Sequence, residues 1–231
     1  MTNEQLRTTF NRQAAGYDAQ WQRLAPIREA LYLVVEAAFA ELPDDARILC
    51  VGAGTGAEIA WMAGRFPGWT FTAVEPSGAM LDLCRLRAEE EAFIGRCSFH
   101  EGYLDSLPPG ADYHAATCFL VSQFILDRED RSSFFRSIAD RLLPGGILAS
   151  ADLSSGTDPN SFDELIRIWM TIMMGARVPE ERLEQAREAY SKDVAVLPPE
   201  TVGAIINAGG FEVPVQVLRV GLMCGWVARR E

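Results

Sequence analysis

Three glycines, Gly52, Gly54 and Gly56, form a short turn between an apolar run and a segment with helical periodicity. Glycine has no Cβ, so a turn built from it lets a ligand approach the backbone closely. Glu75 ends the next apolar run, where a carboxylate can accept hydrogen bonds from ribose hydroxyls. These residues predict a site for a cofactor that contains a nucleoside.

Two cofactor classes fit this turn. Gly52, Gly54 and Ala57 match the dinucleotide pattern G-x-G-x-x-G/A, whereas Gly52, Gly54 and Gly56 match the G-x-G-x-G turn of proteins that bind S-adenosylmethionine. Both classes use an acid at the end of the second strand, so the spacing to Glu75 does not separate them. The local motif therefore leaves the choice between a dinucleotide and a methyl donor open.

The elements around the turn alternate between strands and helices. This alternation is typical of βαβ units and predicts a parallel, doubly wound sheet. An N-terminal helical segment, 4–42, comes first, and Pro43 ends it. Strands are predicted at 47–52, 69–75, 96–102, 113–120 and 146–153, and helices at 57–66, 77–92 (with Ser77 as N-cap) and 128–143, the last closed by Pro144, Gly145 and Gly146.

The pattern changes after Leu153. Helices are predicted at 161–176, 179–192 and 198–210, followed by strands at 211–220 and 221–230. The last two strands are too close in sequence for a parallel crossover, so they should form an antiparallel hairpin with Gly221 in the turn. We expect one domain, 1–231, with N-terminal helices at 1–45, a cofactor-binding core at 46–153, a helical lid insertion at 154–198, and the last helix and antiparallel strands at 199–231.

Three features favour the methyl donor over the dinucleotide. A long helical segment precedes the glycine turn, whereas dinucleotide domains often begin with that turn. Gly56 has no purpose in the dinucleotide pattern. An antiparallel hairpin at the end of a doubly wound sheet is also not what a dinucleotide fold predicts.

At this point the sequence resembles the class I S-adenosylmethionine-dependent methyltransferases of the small-molecule type. The resemblance implies an α/β fold with a mostly parallel seven-stranded sheet, a C-terminal antiparallel hairpin and added helices. The segments that carry it are ILCVGAGTG at 48–56, AVEPSGAML at 73–81, LLPGGILASADL at 142–153, INAGGFEV at 206–213 and FNRQAAGYDAQ at 10–20.

The resemblance also implies a role for each cofactor-binding residue. Many family members have an aspartate where this chain has Tyr103, so Asp105 or a backbone carbonyl would have to accept from the adenine amino group. The implied contacts are Gly52, Ala53, Gly54, Thr55 and Gly56 for the methionine part, Glu75 for the ribose, Pro76 and Met80 for the adenine faces, Gly102, Tyr103 and Leu104 for the adenine edge, and Phe119 and Leu120 for the sulfonium.

The substrate pocket is expected outside the sheet. Ligands of open α/β sheets bind beyond the carboxyl ends of the strands, which favours Asp152 and Gln123. Two segments, 17–27 and 165–178, could cover the site as a lid with adaptable apolar walls of tryptophan and methionine, although each of their residues could equally serve core packing or a dimer face. These segments contribute Tyr17, Trp21 and Arg23 from the N-terminal part and Trp169 from the insertion.

Composition limits the classes of partner and metal that the protein is expected to bind. The net charge of −11 disfavours nucleic acid, which requires a basic surface. No apolar run is long enough for a membrane span, and the N-terminus has no apolar leader, so we expect a cytoplasmic protein without a membrane partner. The chain has five scattered cysteines and two histidines, which predicts neither a metal site nor disulfides. A homodimer remains open.

The predicted activity is transfer of a methyl group to a small-molecule acceptor by in-line displacement, with no catalytic base identified from the sequence. A competing hypothesis is a reaction like that of the carboxy-S-adenosylmethionine synthases, which resemble the chain around 122–146. Arg187 matches by spacing their arginine for the carboxylated sulfonium, but their glycine-cysteine-serine turn is absent. Two further hypotheses are an NAD-dependent oxidoreductase and a binding module without catalysis.

Overall fold

The computed structural model describes residues 1–110, 112–156 and 158–231. One sheet of seven strands has the order β3-β2-β1-β4-β5-β7-β6. The first five strands are parallel, and β7 is antiparallel to both of its neighbours, which confirms the predicted fold class. The strands are β1 Arg47–Val51, β2 Thr70–Glu75, β3 Cys97–Glu101, β4 Tyr113–Phe119, β5 Leu142–Leu153, β6 Val215–Val220 and β7 Met223–Arg229.

Helices flank the sheet and also lie over one end of it. The N-cap prediction for Ser77 is confirmed, because its hydroxyl oxygen accepts a hydrogen bond from the Met80 amide at 3.3 Å. The helices are α1 Asn3–Gln13, α2 Tyr17–Trp21, α3 Ala25–Ala38, α4 Ala57–Arg65, α5 Gly78–Glu90, α6 Arg128–Ala139, α7 Pro159–Met174, α8 Glu180–Lys192 and α9 Pro199–Ala208, with short 3-10 turns at 14–16, 22–24, 94–96, 104–106 and 122–124.

Three predicted boundaries are wrong. The N-terminal helical segment ends at Ala38, before Pro43. Helix α6 ends at Ala139, and the segment that we expected to close it belongs to β5, where backbone hydrogen bonds join Gly145 and Gly146 to Arg230. The last hairpin begins later than predicted because Pro214 has no N–H for the ladder. Phe211 makes only an isolated bridge, and regular pairing begins at Val215.

The apolar core has three parts, which together fix the end of the sheet where the site lies. One covers the face of the sheet under α3, α4 and α5, and the second covers the face under α6 and α9. The third joins α7 and α8 to the turn at 22–24 and to the hairpin around Leu222. Within the described part of the chain, no helix has both the length and the apolar character needed to cross a bilayer.

Neighbouring strands β1 and β4 mark the point where the strand order reverses. From β1 the chain moves outward to β2 and β3, and from β4 it moves the opposite way to β5. In open α/β sheets a crevice forms beyond the carboxyl ends of the strands at such a point. The glycine turn follows β1 and lies in this crevice.

Candidate active site

A first cavity opens beyond the carboxyl ends of β1, β2 and β4. Helix α1 covers it with Leu6, Arg7 and Phe10. Most of the residues that we predicted to bind the cofactor line this cavity. They are Gly52, Gly54, Glu75, Pro76, Met80, Gly102, Tyr103, Leu104, Phe119 and Leu120.

The glycines of the turn have two different purposes. Gly52 and Gly54 both have positive φ angles, +69° and +53°, and leave bare backbone at the cavity wall. A Cβ on Gly56 would lie 2.5 Å from the Cys84 sulfur, and Gly56 lines neither the first cavity nor the second one described below. The structure therefore places Gly56 at the contact between α4 and α5, away from the position that we expected beside the methionine part.

Glu75 lies at the end of β2 with its carboxylate nearly fully buried beside the first cavity. One carboxylate oxygen accepts from the Gly54 amide at 3.0 Å and the other from the Ser77 amide at 2.8 Å. Burial raises the pKa of Glu75, and the hydrogen bonds from Ser77 and Gly54 act against that rise. Each oxygen keeps a second lone pair, so the carboxylate can still accept from two hydroxyls.

The N-terminal helices are tied to the glycine turn and to α5 by side chains that the sequence analysis did not single out. Asn11 accepts from the Ser77 hydroxyl at 2.7 Å and from the Ala79 amide at 3.2 Å. Asp18 accepts from the Thr55 hydroxyl at 2.7 Å and forms an ion pair with Arg87. Both acceptors lie in the 10–20 motif, so the motif was the signal that pointed to them.

Tyr103 also contacts the N-terminal segment. Its hydroxyl donates to the Asn3 carbonyl at 2.6 Å, and its side chain lines the first cavity. Asp105, the predicted substitute for the missing aspartate, is exposed and does not line this cavity. The wall of the first cavity at the predicted adenine position therefore includes Gly102, Tyr103 and Leu104, without an aspartate.

A second cavity lies on the other side of the glycine turn, against α2 and α3. Ala53 and Thr55 line it, together with Asp18 and Arg28. Glu58, in the first turn of α4, also lines it, and its carboxylate accepts from the Thr117 hydroxyl at 2.7 Å. Burial raises the pKa of Glu58 to about 7. Sequence reasoning missed Glu58, because an acid in the first turn of a helix is ordinary at the surface.

A third cavity lies between α1, α2, the turn at 122–124 and helices α7 and α8. It contains three of the predicted substrate residues, Tyr17, Trp21 and Gln123. Tyr17 and Leu120 line all three cavities and so mark the point where they meet. Leu120 has a φ of +59°, a left-handed conformation that is unusual for a bulky residue and tends to occur at functional sites.

The remaining predicted substrate residues do not line these cavities. Asp152 is fully buried and forms an ion pair with Arg131 at 3.0 Å. Trp169 is buried in the third part of the core and donates to the Tyr190 hydroxyl at 3.1 Å. Arg23 donates to the Ile172 carbonyl at 3.2 Å, where it supports the end of α7. These placements are those of packing and positioning groups.

The buried ion pair shapes the floor of the third cavity. Asp152 accepts from the Ser122 hydroxyl at 2.6 Å and from the Gln123 amide at 3.0 Å, while Arg131 donates to Ser122 at 2.9 Å. The Gln123 side-chain oxygen accepts from the Leu153 amide at 2.7 Å. The network thereby fixes the turn at 122–124 against β5.

Arg187, which the carboxylated cofactor would need, and the chain's two histidines lie away from the three cavities. Arg187 binds Asp163 and Glu180 on α7 and α8 and lines none of the three cavities. His100 and His114 also lie outside these cavities. Among the described residues, no cluster of three or more histidine, cysteine or acidic side chains could hold a metal ion.

Comparisons with known proteins agree with this geometry. Residues 48–146 match a family model described as a methyltransferase domain. Erythromycin 3''-O-methyltransferase of Saccharopolyspora erythraea is 29% identical over 185 residues, covering 78% of this chain and 55% of that protein. Methyltransferase GfsG of Streptomyces halstedii is 31% identical over 154 residues, covering 65% and 54%. The chain thus spans about half the length of these curated relatives.

The fold is also found among solved structures. Mitomycin 7-O-methyltransferase MmcR superposes with a TM-score of 0.65 at 19% identity, covering 99% of this chain and 58% of that chain. At this identity the likeness concerns the fold, whereas the glycine turn lies inside the segment matched by the family model. The family match over residues 48–146, the two relatives and the strand order all support a class I S-adenosylmethionine-dependent methyltransferase.

Proposed function

We propose that this chain transfers the methyl group of S-adenosylmethionine to a small-molecule acceptor. The observation that carries the proposal is the first cavity, where the bare backbone of Gly52 and Gly54 faces the buried carboxylate of Glu75. In this arrangement Glu75 accepts from the ribose hydroxyls, and the turn contacts the methionine part. Pro76, Met80 and the 102–104 segment enclose the adenine.

The charges around the glycine turn favour a cationic sulfonium over an anionic diphosphate. A dinucleotide places its diphosphate at the N-terminus of the helix after the turn. Here the first turn of that helix carries Glu58, buried beside the second cavity, and Asp18 lies nearby on Thr55. A diphosphate would meet these acids at close range, whereas a positive sulfur would be attracted by them.

The chain's own contribution to the reaction is alignment and exclusion of water. When bound, the cofactor supplies a methyl group on a positively charged sulfur, which needs no further activation. Tyr17 and Leu120 lie where the three cavities meet and would hold the acceptor in line with the methyl carbon, and Phe119 lines the first two cavities beside them. Burial raises the pKa of Tyr17 to about 12, so its hydroxyl acts as a hydrogen-bond donor near neutral pH.

The names of the relatives suggest the acceptor atom. Two of the proteins reported above are O-methyltransferases. We infer a hydroxyl oxygen as acceptor for this chain as well. That oxygen forms a bond to the methyl carbon as the carbon–sulfur bond breaks, S-adenosylhomocysteine leaves, and the hydroxyl proton passes to solvent. We also propose that the chain forms one domain with the boundaries given above. A cytoplasmic location agrees with the five free cysteines, and the net charge of −11 argues against a nucleic-acid partner.

A homodimer would use the edge strand β6, because its first residue Val215 and the nearby Val213 are exposed.

Thermal protection by nucleosides tests the proposal. A ligand at a hundred times its Kd stabilises the folded state by about 2.7 kcal/mol. For a chain of this length we expect S-adenosylhomocysteine to raise Tm by about 5–10 °C, because each kcal/mol shifts Tm by about 2–4 °C. NAD at the same concentration should leave Tm unchanged. Protection by NAD without protection by S-adenosylhomocysteine would replace the methyltransferase proposal with an NAD-dependent oxidoreductase.

A further inference from the structure

The third cavity differs from its two neighbours in charge. Arg7 and Glu75 line the first cavity, and Asp18, Arg28 and Glu58 line the second. Among the described residues that line the third, there is no lysine, arginine, histidine, aspartate or glutamate side chain. The α-amino group of Met1, which also lines it, is paired with Asp193 at 3.2 Å. An ionised ligand would therefore lose water here without gaining a counter-ion.

The walls of the third cavity are largely aromatic and apolar. The rings of Phe10 and Phe124 pack edge to face with centroids 5.7 Å apart. The rings of Tyr17 and Trp21 lie next to each other at 5.9 Å. Met173 adds a flexible apolar side chain from α7. Such walls suit a flat or polycyclic apolar body.

The polar groups of the third cavity are neutral and only partly used. The side-chain oxygen of Gln123 accepts from the Leu153 backbone amide, and this hydrogen bond fixes which end of the side-chain amide is the oxygen and which is the nitrogen. The side-chain nitrogen of Gln123 has no acceptor among the described residues. The side chains of Gln13 and Gln20 make no hydrogen bond within the described part of the chain. The Tyr190 hydroxyl accepts from Trp169 and keeps its own proton. These groups can donate to and accept from hydroxyl and carbonyl oxygens.

We propose that the third cavity is the acceptor site and that it selects uncharged aromatic or polycyclic alcohols over ionised ones. This inference rests on the proposed function, because the acceptor is expected where the cavities meet at Tyr17 and Leu120. The side-chain nitrogen of Gln123 donates a hydrogen bond to an oxygen of the acceptor, and the rings of Phe10, Trp21 and Phe124 pack against the apolar body of the acceptor. The buried pair of Arg131 and Asp152 keeps Gln123 in place.

A matched set of probes tests this selectivity. Naphthol is neutral at pH 7, hydroxynaphthoic acid carries a negative charge on the same ring system, and aminomethyl naphthol carries a positive one. Equilibrium dialysis against the full chain, saturated with S-adenosylhomocysteine, should show naphthol binding at least about tenfold more tightly than either charged analogue. Equal or tighter binding of a charged analogue, or no binding of any of the three at millimolar concentration, would overturn the proposal.

Two variants test whether naphthol binds in the third cavity. Gln123→Glu keeps the oxygen that accepts from Leu153 but replaces the free amide nitrogen by a carboxylate oxygen, and it should weaken naphthol binding about tenfold or more. Gln20→Glu changes an exposed residue at the cavity rim, which folding should tolerate, and should weaken it in the same direction. Gln22→Glu, an exposed neighbour that lines none of the cavities, is the matched control.

Titration of S-adenosylhomocysteine into the same samples separates the two proposals. Its affinity should be the same in the unsubstituted chain and in all three variants. Unchanged naphthol binding in both Gln123→Glu and Gln20→Glu would show that the acceptor site is elsewhere, while the methyltransferase proposal would stand. Failure of the unsubstituted chain to bind S-adenosylhomocysteine would instead remove the proposed function.

Discussion

Replacing Arg131 with methionine is expected to lower the free energy of unfolding by about 3–5 kcal/mol, the usual cost of removing one partner from a buried ion pair. Both side chains of the Arg131–Asp152 pair are 0% exposed. The substitution leaves the Asp152 carboxylate buried without its cation, with hydrogen bonds from only Ser122 and Gln123. Urea unfolding at pH 7 measures the change.

Two further variants separate the loss of the buried ion pair from other effects of the Arg131→Met substitution. The double variant Arg131→Met/Asp152→Asn removes both charges and should recover a large part of the loss, because the asparagine oxygen can still accept from Gln123. Arg167→Met breaks an exposed pair with Glu164 and should cost less than about 1 kcal/mol. A loss below about 1 kcal/mol for Arg131→Met would contradict the structural role given to the buried pair.

Replacing Glu58 with glutamine is expected to change how stability depends on pH. The folded chain holds the Glu58 proton more tightly than the unfolded chain, because burial raises the pKa of Glu58 from 4.5 to about 7. The unsubstituted protein should therefore lose stability as the pH rises from 4.5 through 7, by roughly 2–4 kcal/mol from this group. Glutamine stays neutral and can still accept from Thr117.

The free energy of unfolding of Glu58→Gln should match that of the unsubstituted chain near pH 4 and exceed it by roughly 2–4 kcal/mol at pH 8. Glu89→Gln, on an exposed face of α5, is the control and should leave the pH profile as it is. Parallel profiles for Glu58→Gln and the unsubstituted chain between pH 5 and 8 would show that the Glu58 carboxylate is not buried as described.

The parts of the fold and site that sequence reasoning predicted are those set by short-range rules. The alternation of strands and helices, the N-cap at Ser77 and the antiparallel hairpin all follow from local spacing and from the minimum length of a crossover. Glu75 is also a local feature, since it ends the strand that pairs with β1. The other predicted residues that line the first cavity belong to the glycine turn or lie at the ends of neighbouring strands, so the same local rules predicted them.

What sequence reasoning missed depends on contacts between distant segments. Gly56 matches the motif, but its spacing cannot show that Cys84 lies against it. Asp152 lies at the expected end of β5, but its partner Arg131 is on α6, so the sequence could not show that it is buried in a pair. Glu58 and Trp169 each contact residues that are far away in the sequence, and hydrophobic periodicity carries no information about such contacts.

The central claim is that Glu75 and the glycine turn bind S-adenosylmethionine, and calorimetric titration with S-adenosylhomocysteine tests it most directly. Glu75→Ala should weaken binding by about 1.5–3 kcal/mol, because it removes a charged acceptor of the ribose hydroxyls. Glu101→Ala is the matched control, since Glu101 pairs with Glu75 in the sheet but lines neither the first nor the second cavity. We predict tight binding to the unsubstituted chain and to Glu101→Ala, and the stated loss for Glu75→Ala. Equal affinity for Glu75→Ala and the unsubstituted chain would contradict this account.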